Sequence, residues 1–189
     1  MRGLPGGDLR VLMLLRIFPV ILAAVIFALD QWTKWLINVR LPRPEEGGFV
    51  VIPGWFNIVH EENPGVAFGL LSNSTSEWRG AILITVSAVV LGYIAILLWR
   101  SRTGAAVGLR LALAFILAGA LGNLYDRVAH GTVTDFIEVH SGRHYFPVFN
   151  VADSSITVGG TLLVLLELLK GRGKQTEVSA NVSEAGIDR

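Results

Sequence analysis

GAILITVSAVVLGYIAILLW, residues 80–99, carries no charged side chain. A helix rises about 1.5 Å per residue, so a stretch of this length spans about 30 Å, the thickness of the hydrocarbon core of a bilayer. With no polar face, it has no reading as a half-exposed helix in water, and it predicts a transmembrane helix. Three further stretches have the same character. Residues 17–37 are apolar up to Leu29 and then turn polar at Asp30, Gln31, Thr33 and Lys34. Residues 104–125 hold one charge, Arg110, near their start, and residues 151–169 are apolar between Asp153 and Glu167. The expected fold is an all-α membrane protein of four transmembrane helices.

Composition agrees. The chain of 189 residues is 52% hydrophobic and 16% charged, with mean hydropathy +0.55, whereas soluble domains are about 25% charged. A net charge of +1 excludes a nucleic-acid partner, which needs clustered Lys and Arg to neutralise phosphates. The absence of cysteine excludes disulfides, thiol catalysis and thiolate metal sites. Arg2 and Arg10 ahead of the first apolar run suggest a signal peptide, but no small-x-small cleavage site follows the run, which ends in Asp30 and aromatics.

The distribution of Lys and Arg gives the direction of the spans. Arg2, Arg10 and Arg16 precede the first, Arg100, Arg102 and Arg110 crowd the link between the second and third, and Lys170, Arg172 and Lys174 follow the fourth. Both termini are therefore expected in the cytoplasm. The longer connections, residues 38–79 and 126–150, hold only Arg40, Arg43, Arg79, Arg127 and Arg143 and are expected outside. Residues 49–59 (FVVIPGWFNIV) surround a Pro-Gly turn with β-branched and aromatic residues, which predicts a hairpin. Residues 132–139 (TVTDFIEV) alternate in the same way. The unit of residues 1–170 is followed by a polar tail, residues 171–189, without aromatics, expected to be disordered.

Charged side chains inside a span are costly, and each is a functional hypothesis. Asp30 stands in the outer third of span one, Asp126 closes span three on that side, and Asp153 opens span four there. Asp30 and Lys34 have the better i,i+4 order for a helical ion pair, and a lock between helices would explain them without chemistry. Asn123 and Arg127 share a face, with Asp126 adjacent, and holding the end of the span to the outer loops is an equally plain role. Asp135 lies in an apolar extended segment without an obvious local partner, where desolvation raises a carboxyl pKa. Asp153 follows Asn150, a good N-cap residue, and sits where the helix dipole favours an anion. Two carboxylates pushed apart in this way suit acid/base chemistry, although Asp153 also reads as a capping acid. His60, His130, His140 and His144 form no helical i,i+4 pair, and neither a serine-hydrolase elbow nor a phosphate-binding loop is present. Neither a metal nor a cofactor is expected.

Five ordered motifs carry a resemblance. Asp30-Gln31-Trp32-Thr33-Lys34 resembles D-Q-x-x-K. Asn63-Pro64-Gly65-Val66-Ala67-Phe68-Gly69 resembles N-x-G-x-A-F-[SG], and Gly122-Asn123-Leu124-Tyr125-Asp126-Arg127 resembles G-N-L-x-D-R. Val133-Thr134-Asp135-Phe136-Ile137 resembles V-x-D-F-I, and the nine residues from Phe146 to Ser154 resemble F-P-x-F-N-x-A-D-S. Together they are similar to lipoprotein signal peptidase, or signal peptidase II, a bacterial family of membrane-embedded aspartic peptidases. Tyr125 and Thr134 stand where an aliphatic residue is more usual, and neither change touches an acidic position.

The resemblance implies an endopeptidase that removes the signal peptide from a diacylglyceryl-modified prolipoprotein just before the lipidated cysteine. It makes Asp135 and Asp153 the catalytic dyad, with Asp30, Lys34, Asn63, Asn123, Asp126, Arg127 and Asn150 shaping and supporting the site. It further implies a small outer β-element over residues 49–59 and a short outer helix within residues 63–79. The enzyme is expected as a monomer in the bacterial cytoplasmic (inner) membrane, its site at the outer face and its partners the prolipoprotein and membrane lipid. Two other readings exist: a four-span proton-coupled small-molecule carrier, and an assembly factor without chemistry.

Overall fold

The computed structural model describes the backbone of residues 6–41, 48–65, 78–100 and 107–184, and the side chains of residues 17–41, 48–65, 80–100 and 107–170. Four helices dominate: α1 (Gly6–Arg40), α2 (Trp78–Arg100), α3 (Val107–Ala129) and α4 (Val151–Glu184). Each is long and apolar enough to cross a membrane, over Ile17–Arg40, Gly80–Arg100, Val107–Ala129 and Val151–Lys170. The four expected helices are present, and the small β-element expected between them is a four-stranded antiparallel sheet, in the order β1-β2-β3-β4, so the molecule is a membrane protein of mixed helix and sheet rather than all-α.

Helix α3 occupies the centre and packs against α1, α2 and α4, with α1 also touching α4. Lipid offers no hydrophobic gain for helix association, so close backbone approach through small residues holds such bundles together. Ala112, Ala114 and Ala118 on α3 and Ala152 on α4 are accordingly buried, and a side chain at Gly119 would run into the backbone of Ala152. By contrast α2 turns Ile82, Val86, Val89, Tyr93 and Ile96 outward, as a helix bathed by acyl chains does.

Two helices run further than hydropathy alone predicts. Asp126 and Arg127, expected at the start of a loop, lie in the last turn of α3, which ends at Ala129, two residues before Gly131 with φ +83°. Both polar side chains find partners on other elements, so the helix continues past the apolar stretch. Likewise α4 extends to Glu184, where a disordered tail was expected from residue 171. That extension contains no proline, and its Arg, Lys, Gln, Glu and Ala favour helix. The expected short outer helix lies outside the described residues.

In the sheet, β1 (Phe49–Ile52) and β2 (Phe56–Asn63) flank the turn with Gly54 at φ +80°, as the Pro-Gly signal predicts. Strand β3 (Val133–Ser141) pairs antiparallel with β2, and β4 (His144–Tyr145) closes a second hairpin at Gly142. The sheet sits at the end of the bundle where α1 and α3 finish and α4 begins. Phe136 of β3 packs there on Ile37 and Leu41, with Ile58, Ile137 and Val151 around them.

Candidate active site

The deepest polar layer is built around one lysine. Lys34 Nζ lies 2.8 Å from Asp30 Oδ2 on its own helix and 2.6 Å from Asp126 Oδ2 on α3, and it donates to Asn123 Oδ1 at 3.0 Å. Gln31 Nε2 ties the same two acids together, at 3.1 Å to Asp30 and 2.9 Å to Asp126. Asp30 is fully buried, and its second oxygen accepts the backbone N–H of Ala152 at 2.9 Å. Ala152 is in the first turn of α4, whose amides have no helical acceptor. Asp30 therefore does more than pair with Lys34: it caps a helix from across the bundle.

That cap requires Gly122. A Cβ there would stand 2.5 Å from Asp30 Oδ2 and 3.2 Å from its Cγ, and Asp30, held by Ala152, Lys34 and Gln31, has no room to retreat. Alanine ordinarily stabilises a helix by about 1 kcal/mol relative to glycine, but overpacking costs about 1–3 kcal/mol. Gly122→Ala is therefore expected to lower the melting temperature of the detergent-solubilised protein, and an unchanged or higher one would contradict the geometry.

Above this layer stand the two acids that the sequence singles out. Asn150 Oδ1 accepts the backbone N–H of Asp153 at 2.9 Å, while Asp153 Oδ2 accepts the backbone N–H of Asn150 at 3.2 Å. This reciprocal pair has the logic of a capping box and fixes Asp153 at the head of α4. Asn123 Nδ2 donates to Asp153 Oδ1 at 2.7 Å, linking it through Asn123 to Lys34. Asp135, in β3, accepts from Asn150 Nδ2 at 2.6 Å and from Asn63 Nδ2 at 3.0 Å. These are partners the sequence reading did not see, because both are remote along the chain. Asn150 thus touches both acids, one through its oxygen and the other through its nitrogen.

Burial pushes the Asp135 carboxyl up to about 7, with the negative charge of Asp153 adding to the rise and Asn63, Asn150 and Lys34 opposing it. Desolvation raising Asp135 is what its apolar neighbours predict. Both acids open onto one cavity of about 1080 Å³, shared with Asn63, Asn123 and Arg127. Phe146, Phe149 and Ile156 give it an apolar wall. Arg127 leans over it, donating to the carbonyls of Asn123 at 3.1 Å and Gly65 at 3.3 Å.

All nine residues picked from the sequence therefore fall in one connected region: Asp30, Lys34 and Asp126 in the floor, Asn123 and Asn150 in the middle, and Asn63, Arg127, Asp135 and Asp153 around the cavity. Sequence reasoning missed Gln31, whose amide bridges the two floor acids, and Gly122, whose lack of a side chain admits Asp30. Gln31 lies between Asp30 and Trp32 in a motif that was quoted, but no i,i+4 rule selects it.

The model of the family described as Signal peptidase (SPase) II matches residues 22–169. Among curated relatives, the chain is 44% identical to the lipoprotein signal peptidase of Solibacter usitatus over 157 residues, 83% of this chain and 93% of that one. It is 40% identical to the lipoprotein signal peptidase of Pseudomonas putida over 161 residues, 83% and 90% of the two chains. Among solved structures, one described as a bacterial membrane enzyme determined by the in meso method at 2.3 Å superposes with a TM-score of 0.72 at 30% identity, covering 83% of this chain and 91% of that one. A family match across most of the bundle and the sheet, with relatives covered nearly end to end, leaves one conclusion: this chain belongs to the signal peptidase II family.

Proposed function

We propose that the chain is an aspartic endopeptidase that removes signal peptides from prolipoproteins, using Asp135 and Asp153 as its dyad and cutting immediately before a diacylglyceryl-modified cysteine. The observation that carries this reading is the pair of carboxyls facing one cavity in unlike surroundings. Asp153 receives hydrogen bonds from Asn123 and the Asn150 amide at a helix N-terminus. Asp135 is pushed up to about 7 by burial and by the Asp153 charge, which keeps it mostly protonated below neutral pH. Such a difference assigns a base and an acid.

In the proposed mechanism Asp153 takes a proton from water, whose oxygen attacks the carbonyl carbon preceding the lipidated cysteine. Asp135 gives its proton to the carbonyl oxygen as the C=O bond opens. On collapse of the tetrahedral intermediate, the proton held by Asp153 passes to the departing cysteine nitrogen and Asp135 recovers a proton from the geminal hydroxyl. Both carboxyls end as they began, and the sum is addition of water across one amide. Asn150, which touches both acids, and Asn63 and Asn123, one on each, hold the geometry. The Lys34 layer fixes Asn123 from below. Arg127 is suited to a substrate carbonyl or a lipid headgroup at the cavity mouth.

Topology follows from the charge bias. With both termini cytoplasmic, the cavity opens at the outer face of the bacterial cytoplasmic membrane, where a lipid-anchored cysteine would lie, and acyl chains would rest on the apolar walls. A single chain holds every residue invoked, and the monomer is the working unit proposed.

The test is a gel-shift assay of the purified protein with a lipidated prolipoprotein, run beside its unlipidated precursor. Cleavage of the first and not the second is expected, and cleavage of neither overturns the reading. The pH profile adds a signed expectation. Activity needs Asp135 protonated, so kcat/KM should be full at pH 6 and fall as pH rises through about 7, by about tenfold per pH unit beyond it. A profile flat to pH 9 would remove Asp135 as the acid.

A further inference from the structure

Strand β2 does not pair evenly with β3. Phe56, Asn57 and Ile58 face Val139, Glu138 and Ile137, but Glu61, Glu62 and Asn63 face Asp135, Thr134 and Val133, so the register slips between Ile58 and Glu61. A slip of this kind is a β-bulge, which re-aims the side chains beside it and recurs next to active sites. His60 lies in the bulge and is buried, at 6% exposure. Its Nδ1 hydrogen-bonds the carbonyl oxygen of Leu41, just past the end of α1, and its Nε2 lies 2.9 Å from Glu62 Oε1. Glu62 also accepts from Thr134 Oγ1 at 3.1 Å and from Thr132 Oγ1. Burial raises the Glu62 carboxyl, yet the bonds from Thr132, His60 and Thr134 outweigh it and hold Glu62 below the usual carboxylate range.

Every partner of this pair adjoins the dyad or the helix beneath it. Thr134 precedes Asp135, and Asn63, which donates to Asp135, follows Glu62. The two ring nitrogens of His60 each meet an oxygen, one on Leu41 and one on Glu62. A carboxylate gripped from both strands, with the histidine fastened to the end of α1, fixes where the Asn63 amide meets the Asp135 carboxyl. Resting on the peptidase reading above, we infer that His60 and Glu62 form a positioning unit for Asp135, a role none of the five motifs contains.

The experiment compares wild type, His60→Ala, Glu62→Ala, Glu62→Gln, the double alanine variant and Asp135→Asn on a lipidated prolipoprotein, reading kcat, KM, melting temperature and the pH profile of kcat. Misplacement of a reacting group by about 1 Å costs up to about a hundredfold, so each single alanine variant should lose about tenfold to a hundredfold in kcat with KM within about twofold. The double variant should be no worse than the worse single, as expected of residues that act as one unit, and Glu62→Gln, which keeps an acceptor for the threonines, should recover most of the loss. Asp135 is faced by Asp153 from α4, Lys34 from α1, Arg127 from α3 and Glu61 across the strands, none of which Glu62→Ala changes. Loosening the Asn63 donor, which favours the carboxylate, should therefore move the falling limb to higher pH. Wild-type kcat and pH limb in Glu62→Ala, or losses that add in the double variant and follow melting temperature alone, would overturn the inference while leaving the peptidase reading intact. A wild type that cleaves no more than Asp135→Asn overturns both.

Discussion

Asp135→Asn and Asp153→Asn are each expected to lower prolipoprotein processing by about 10³- to 10⁴-fold, the scale on which general acid/base groups acting as a unit contribute. Asparagine is nearly isosteric with aspartate. At position 153 its carbonyl oxygen can still accept one of the two bonds that fix this side chain, from Asn123 or from the Asn150 amide. At position 135 it keeps one of the two acceptors that Asn63 and Asn150 meet and removes a carboxyl that burial disfavours in its charged form. Melting temperatures within a few degrees of wild type should therefore accompany the lost turnover. Turnover retained in either variant removes that acid from the dyad. Turnover that falls only in step with melting temperature would instead favour the assembly-factor reading, in which these acids have no chemical task.

The second large effect is on stability. Lys34→Met takes away the cation between Asp30 and Asp126, which lie 2.8 and 2.6 Å from Nζ, and leaves two carboxylates in a layer closed to water. Removing one partner from a buried ion pair costs about 3–5 kcal/mol, while replacing all the charges together is often nearly neutral. Lys34→Met should therefore melt well below wild type, and adding Asp30→Asn and Asp126→Asn should recover much of the loss, because neutral amides can keep the Ala152 cap and the Gln31 bond to position 126 without the stranded charge. A single variant as stable as wild type would show that the layer is not held by this cation. Activity need not return with stability, since Lys34 also orients Asn123, the donor to Asp153.

Much of this was legible along the chain, for physical reasons that can be named. An uncharged stretch such as residues 80–99 admits one environment, and Pro53-Gly54 between β-branched runs admits one kind of turn. Asp153 three residues after Asn150 announces its own cap. What remained hidden was whatever depends on residues far apart in sequence. The two strand-like segments were visible, but β2 finds β3 across about seventy intervening residues, and pairing at that distance leaves no periodic trace. For the same reason Asp135 looked partnerless until Asn63 and Asn150 arrived beside it. Asp30 was legible as half of an i,i+4 pair and illegible as the cap of α4. The extension of α4 was missed because hydropathy marks where lipid ends, whereas backbone propensity sets where a helix ends. The carrier reading failed on placement: carriers gather their ionisable groups near the bilayer midplane, and here they collect at one end of the bundle, beneath the sheet.

The hydrogen bond from Ala152 to Asp30 joins the last membrane helix to the first across 122 positions. During synthesis Asp30 leaves the ribosome long before the segment that supplies Asp153 exists. The nascent chain therefore carries an acid waiting in lipid for a helix that has yet to be made, and Lys34, four residues away, neutralises it meanwhile. With the dyad proposed above, proteolytic competence would be among the last properties acquired in biogenesis, and a polypeptide stopped before its fourth span would be inert toward its neighbours in the membrane.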